Sequence, residues 1–266
     1  MTTPTAARPT SSDGSHWYFQ DGRPCHTVKR ASGDGERPTT LADARKLGLL
    51  PSVTNILGVL DKPALTNWKI EQAVLATHTA PKLPSESLDD FIHRVIHTER
   101  QQDQEAQVAR DRGTQIHNAM EKLFKRESVD PELLPWVMPA FIEIRKRQYL
   151  FVGCELVLVG RGYAGRTDLI HIDESESLWL WDWKSAKTLP TKGAWTEHTL
   201  QLAAYAAAHC VLDMPYKRTR TGNVYISTVE RGKFVVCEHE PWEPAYEAFQ
   251  NLLRFWQWQN NYKPNL

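Results

Sequence analysis

The stretch Leu178-Trp179-Leu180-Trp181-Asp182-Trp183-Lys184 decides the fold of this chain. Bulky apolar residues at every position but the charged ones, in a run this short, predict a buried β-strand rather than a helix. Residues two apart on a strand share a face. Leu180, Asp182 and Lys184 therefore stand on one side, and Trp179, Trp181 and Trp183 on the other. Immediately before it, Asp173 to Ser177 is a polar turn, and Tyr163 to Ile172 reads as a second strand. A third, Glu155 to Val159, precedes the turn Gly160-Arg161-Gly162. If the hairpin turns about Ser175, Asp168 falls opposite Asp182, and facing Cβ atoms lie about 5 Å apart. Two carboxylates at that separation repel unless a cation or a proton joins them. An oxygen-rich pair suits Mg²⁺ or Mn²⁺. The competing reading is an exposed hairpin carrying solvated charges, since an acid-x-Lys is expected about once by chance in a chain of this length.

Outward from the hairpins the pattern is helical. Downstream, Ser185 to Glu197 is a loop and Thr199 to Leu212 an Ala-rich helix. Asn223 to Val229 and Lys233 to Glu238 form a hairpin about Arg231-Gly232. Glu243 to Asn260 closes the chain with Tyr246, Phe249, Leu253 and Trp256 on one helix face. Upstream, Glu132 to Tyr149 is a helix, Leu88 to Phe124 is mostly helical and highly charged, and Pro63 opens another helix. Thr79 to Ser87 is a loop. Ser52 is placed to cap a segment with Val53, Ile56, Leu57 and Leu60 at helical spacing, and Thr39 or Thr40 to cap a short helix ending near Gly48. His16 to Phe19 reads as a short strand before the turn Asp21-Gly22. The fold class is α/β: helix, three antiparallel strands, helix, strand pair, helix.

Composition narrows the function classes. The chain has 266 residues, 41% of them hydrophobic, enough for one large domain or a domain with an added lobe. It has no run of eighteen apolar residues, so no membrane span is expected. Lys plus Arg number 32, as do Asp plus Glu, giving a formal net charge of zero. Any contact with nucleic acid must then come from local basic patches. Cys25, Cys154, Cys210 and Cys237 form no CxxC pair, which argues against a zinc ribbon or a clustered iron–sulfur centre and for reduced thiols in a cytoplasmic protein. Residues 1–15 are rich in Thr, Ser and Pro and read as a flexible tail, with an organellar transit segment as the alternative.

Two further pairs flank the hairpins. His117 and Glu121 are i, i+4 neighbours at the edge of an apolar stripe of Ile116, Ala119, Met120, Leu123 and Phe124, with Gly113 one turn earlier on the same face. Gln201 and Tyr205 repeat that spacing on the Ala-rich helix. Each pair alone is as readily a packed or surface feature as a site.

Together the patterns run Gly113…His117…Glu121, Gly165-Arg166-Thr167-Asp168, Asp182-Trp183-Lys184 and Gln201…Tyr205. Over residues 110 to 210 this resembles the PD-(D/E)XK nuclease superfamily in its RecB-like branch. Pro51-Ser52-Val53-Thr54-Asn55-Ile56-Leu57, with Leu65 and Trp68, is similar to the N-terminal region of phage exonucleases and of the mitochondrial genome maintenance exonuclease. The "PD" position reads Thr167-Asp168, the middle acid is Asp182 rather than Glu, and the cysteines of the iron–sulfur members are missing. That favours the cluster-free exonucleases.

The resemblance implies a restriction-endonuclease-like core with an N-terminal helical extension. Residues 16–109 would form an N-terminal hairpin and helical arch, and residues 110–266 the nuclease core with its C-terminal helix. It implies a metal-dependent DNA exonuclease that hydrolyses phosphodiester bonds of single strands or free ends in replication, recombination or repair. Asp168, Asp182 and Lys184 would be catalytic. His117, Asp168, Asp182 and the Trp183 carbonyl would bind Mg²⁺ or Mn²⁺, with no iron–sulfur cluster. Lys184 would orient the attacking water and offset transition-state charge. Gln201 and Tyr205 would steady the Lys184 end of the site, Glu121 would orient His117 or a metal-bound water, and Arg166 would touch a phosphate. The partner is DNA, with recombination or replication proteins beside it, in a bacterial or phage-infected cytoplasm or an organellar matrix. The alternatives are a structure-specific endonuclease on the same core and a catalytically silent DNA-binding accessory protein. Basic clusters at Arg110, Arg112, Lys122, Lys125 and Arg126, at Arg145, Lys146 and Arg147, and at Lys217, Arg218 and Arg220 are candidate phosphate contacts. Trp68, Trp195 and Trp258 are candidate base-stacking groups, whereas Trp256 belongs to the apolar stripe.

Overall fold

A computed structural model describes residues 16–61, 63–102, 104–209 and 217–264. The expected tail over residues 1–15 and Cys210 lie outside them, as do the side chains of Leu65, Trp68 and Arg110.

The chain begins with short pieces: β1 (Trp17–Tyr18), β2 (Thr27–Lys29), β3 (Glu36–Pro38), α1 (Leu41–Leu47), β4 (Leu50–Pro51) and α2 (Val53–Leu57). β1 pairs with β4 and β2 with β3, both antiparallel. Thr40 caps α1 in a capping box with Asp43, and Gly48 ends it in the left-handed conformation that glycine adopts without penalty. Ser52 caps α2 by accepting from the Asn55 N–H at 3.0 Å. Trp17, Ala44, Leu49, Val53, Ile56 and Leu57 are buried in the same cluster as residues of the central sheet, so this segment packs directly on the core.

Next come α3 (Pro63–Thr79) and α4 (Leu88–Gln102), which pack on each other, then α5 (Gln104–Phe124) and α6 (Leu134–Arg147). The stretch expected to be helical over 88–124 is helical at every described residue.

Three long antiparallel strands follow, β5 (Leu150–Gly160), β6 (Tyr163–Ile172) and β7 (Ser177–Ala186), then α7 (Thr196–His209), β8 (Arg218–Ser227), β9 (Phe234–His239) and α8 (Glu243–Gln259). The sheet order is β5-β6-β7-β8-β9; only β7 and β8 are parallel, joined by α7 as the crossover such a pair requires. The result is an α/β fold, a five-stranded mixed sheet flanked by helices, consistent with a restriction-endonuclease-like core. β8 begins five residues before the expected strand, because Ser177 through Ala186 gives it a full-length parallel partner.

The tryptophan alternation sorts the two faces. Trp179, Trp181 and Trp183 pack with Ile116, Met120 and Phe124 of α5 and Val137, Ala140 and Ile144 of α6. Leu178 and Leu180 face α7, α2 and α8. α7 is buried nearly all round, which explains its run of alanines. Trp179 and Trp181 stack with centroids 4.8 Å apart, and Trp181 Nε1 donates to His171 Nε2 at 2.9 Å. Burial lowers the pKa of His171 to about 4, so the ring is neutral and able to accept.

Candidate active site

The register of β6 with β7 centres the turn on Ser175, and its last recorded pair is Leu169↔Trp181. One step further lie Asp168 and Asp182. Beyond that pair the strands open: the Trp183 N–H donates to Asp168 Oδ2 at 2.6 Å, and Thr167 Oγ1 donates to the Trp181 carbonyl. Both aspartates are buried, and each is held by its own partners.

Asp182 Oδ2 accepts from Lys184 Nζ at 2.7 Å and from Asn223 Nδ2 at 3.0 Å. Asn223 comes from the parallel strand β8, where it pairs with Asp182 in register, and its Oδ1 lies 2.8 Å from His239 Nε2. Burial pushes the Asp182 carboxyl up, opposed by the Lys184 charge and aided by Asp168. Burial alone would lower the Lys184 ammonium, but Asp182 and Asp168 raise it, so it stays charged.

His117 Nε2 lies 3.0 Å from Asp168 Oδ2. Its Nδ1 faces Glu155, not Glu121, with Oε1 at 3.8 Å. Burial lowers its basicity, yet the hydrogen bond to Asp168 and the charges of Asp168, Glu155 and Asp182 prevail, and its pKa stands at about 9. Gly113, one turn earlier, lets α5 approach β7: a Cβ there would come within 2.5 Å of Ser185 Oγ.

Glu155 was read in the sequence only as the start of a strand. The pairs Cys154↔Leu169 and Leu156↔Thr167 bracket it directly opposite Asp168. Its φ is 55°, a left-handed conformation that strains a non-glycine residue, and backbone strain of this kind gathers at functional sites. Glu155 Oε2 is bound by Arg166 Nε at 2.7 Å, while Oε1 is buried and accepts no hydrogen bond. Burial and Asp168 raise its pKa. The one sequence signal was a lone acid inside an otherwise apolar strand. Asn223 is the same kind of signal, a lone amide in a buried strand.

Gln201 Nε2 donates to Tyr205 Oη at 2.9 Å, both buried on α7. Gly165 makes room for the Tyr205 ring, which an added Cβ would overlap. Gln201 and Lys184 line a small cleft of about 210 Å³ with Thr54, Leu57, Glu197 and His198.

The outcomes for the expected residues are mixed. Asp168, Asp182, Lys184, His117, Gln201 and Tyr205 are brought into one region. Arg166 is exposed at its rim, paired to Glu155. Glu121 is not against His117: its carboxylate pairs with Lys125 one turn further along the helix. The Trp183 side chain stacks on Phe124 at 5.5 Å on the opposite sheet face, leaving only its backbone near Asp168. Among the basic clusters, Arg220 is tied to Glu240 and Glu238, Lys217 to Glu176, and Arg218 to Ser177. Trp195 and Trp258 are exposed, and Trp256 is buried.

The donor set suits a divalent cation. One nitrogen of His117 and one carboxylate oxygen each of Glu155 and Asp168 lie within 4.8 Å of one another. A buried carboxylate oxygen without a donor is a group a cation would satisfy. Among the described residues, no helix is long and apolar enough to cross a membrane.

No curated protein matches the chain. The sequence profile of the PD-(D/E)XK nuclease superfamily matches residues 138–264, which carry Glu155, Asp168, Asp182, Lys184, Gln201 and Tyr205 and leave His117 outside. That match, laid on a mixed sheet whose acids and lysine meet at one end, supports the chain's assignment to the PD-(D/E)XK nuclease superfamily.

Proposed function

We propose that the protein is a metal-dependent deoxyribonuclease of the RecB-like branch, an exonuclease that works on single-stranded DNA or free ends during replication, recombination or repair. One observation carries the hydrolytic reading: His117, Glu155 and Asp168 form a three-ligand cluster directly beside the buried Asp182–Lys184 pair. The preference for ends and single strands rests on the resemblance to phage exonucleases and to the mitochondrial genome maintenance exonuclease, with α3 and α4 as the arch over the strand.

In this reading His117, Glu155 and Asp168 would hold Mg²⁺ or Mn²⁺, and Asp182 and the Trp183 carbonyl would be further ligands. The bound cation supplies Lewis-acid activation of water and charge neutralisation at the phosphate. The chain's own residues do the rest. Asp182 and its Asn223 amide fix the Lys184 ammonium in place, so that a permanent positive charge faces the phosphate oxygens as negative charge builds on them. Gln201 and Tyr205 fix the wall behind Lys184. Arg166 holds Glu155 by one oxygen and leaves the other pointing inward.

The test is a cleavage assay with 5′-labelled, 3′-labelled and circular single strands in Mg²⁺ or Mn²⁺. Linear strands should be shortened from an end and circles left intact, with activity lost in EDTA and in Lys184→Ala. Cutting of circles would establish an endonuclease instead. Binding without cleavage under every condition would establish an accessory DNA-binding protein.

A further inference from the structure

A second feature lies two helical turns from the metal cluster. Where α5 ends, α6 ends and β5 begins, a groove of about 740 Å³ opens at the sheet edge. Its aromatic lining includes Phe141, Tyr149 and Phe151, and its basic lining Lys125, Arg126 and Arg145. Tyr149 is 75% exposed and Phe151 42%. With Leu150 between them, also exposed, they form an apolar run leading into the edge strand β5, which proteins ordinarily avoid unless something covers it.

We propose that this groove binds single-stranded nucleic acid, stacking bases on Tyr149 and Phe151 and holding phosphates with Arg126, Arg145 and Lys125. The inference rests on the nuclease reading for its purpose and on the groove's own chemistry for its ligand. Arg126, Arg145 and Lys125 stand against Glu127 and against Glu121, which pairs with Lys125, leaving a surplus of one positive charge on a chain whose net charge is zero. Flat rings beside cations are what bind unpaired bases on a phosphate backbone. Two of the basic clusters seen in the sequence, from the ends of α5 and α6, meet here.

The groove and the site share two elements, α5 and β5. From His117 to Lys125 is eight helical residues, about 12 Å. From Glu155 to Phe151 is four strand residues, about 13 Å. A strand stacked at 3.4 Å per nucleotide covers that span in about three to four nucleotides.

Fluorescence anisotropy in EDTA, with labelled oligothymidylates of about 3 and about 12 nucleotides, tests this without any metal chemistry. The longer strand should bind wild-type protein more tightly than the shorter. Tyr149→Ala and Phe151→Ala should each weaken the longer strand roughly tenfold, and Tyr149→Phe should not. Arg126→Ala with Arg145→Ala should lower the salt slope by about 1.4. No binding by the wild type, or variants that match it in affinity and salt slope, overturns the proposal. So does a self-association that Tyr149→Ala abolishes while DNA affinity stays unchanged, which would make the groove an interface between copies of the chain. A wild type that binds through the groove but cleaves nothing in Mn²⁺ would overturn the nuclease reading and leave the groove standing.

Discussion

Raising the pH from 7 to 8 should tighten Mn²⁺ binding severalfold, because His117 must give up a proton before it can act as a ligand. Burial by itself would make the imidazole a poorer base. Asp168 at 3.0 Å, with Glu155 and Asp182 adding their charge, reverses that and holds its pKa at about 9. At that value the neutral fraction rises from about 1% at pH 7 to about 10% at pH 8, a tenfold gain in ligand-competent protein. An ordinary imidazole near 6.5 would gain only about 1.3-fold over the same interval. The side chain is 34% exposed, so solvent screening trims the carboxylates' effect, and a gain of about threefold is the lower bound. The sign is fixed by the direction of the shift. A raised pKa in the fold means that the imidazolium–carboxylate contact stabilises the metal-free protein fully below 6.5 and is lost as pH climbs through 9, while cation binding gains over the same window. Isothermal titration calorimetry in buffers of different ionisation enthalpy reads both quantities, affinity and released protons. Wild type should release close to one proton per ion at pH 7, and His117→Asn should abolish both the release and the pH slope. A change under about threefold between pH 7 and 8, without proton release, would refute the argument that these carboxylates control His117.

Glu155→Gln keeps the side chain's shape and removes its charge; it should weaken Mn²⁺ binding by at least about tenfold, and calorimetry showing wild-type affinity would strike Glu155 from the ligand set. Gly165→Ala should destabilise the fold by about 1–3 kcal/mol in urea unfolding, because the new methyl overlaps the buried Tyr205 ring, and pairing it with Tyr205→Leu should recover part of the loss. Asn223→Ala leaves Asp182 short of a buried donor and should destabilise the fold by about 1–3 kcal/mol, with kcat falling further than the thermal shift explains because Lys184 loses a fixed partner.

How much of this could be read from the sequence depends on how local each cause is. The 2-residue alternation of the Leu178–Lys184 stretch fixed the strand, its faces and the register of the hairpin, since a turn centred on Ser175 leaves only one pairing. The i, i+4 spacings put Gln201 beside Tyr205 correctly, because one helix sets both positions. The same spacing misled for Glu121: it shares a helix side with His117, but Lys125 at its own i+4 offered a closer charge. Glu155 escaped notice because its place depends on a left-handed kink inside β5, which turns the carboxylate toward Asp168 and which no local pattern announces. Asn223 escaped because β7 and β8 lie 41 residues apart in the chain, and a parallel pairing has no signature in either strand alone. The early start of β8 was hidden for the same reason: Arg218 to Arg220 look like a surface run until Glu238 and Glu240 of the neighbouring strand end are placed beside them.

The charges of the site balance without any ion. Three carboxylates, Glu155, Asp168 and Asp182, stand against three cations, Arg166, His117 and Lys184, each within contact of one acid. Buried carboxylates left unpaired would oppose folding by several kcal/mol apiece, yet here each has a partner already. The fold therefore has no need of the metal for its stability, unlike domains whose only compensation for clustered acids is the ion. A divalent cation would bind as His117 gives up its proton, adding one net positive charge to a site that is already balanced. Two consequences follow together: EDTA should lower the melting temperature by no more than about 2–3 °C for a domain of this size, while abolishing cleavage. A large EDTA-induced loss of stability would mean that the ion pairs fail to hold the acids, and that the cation is a structural element of this site.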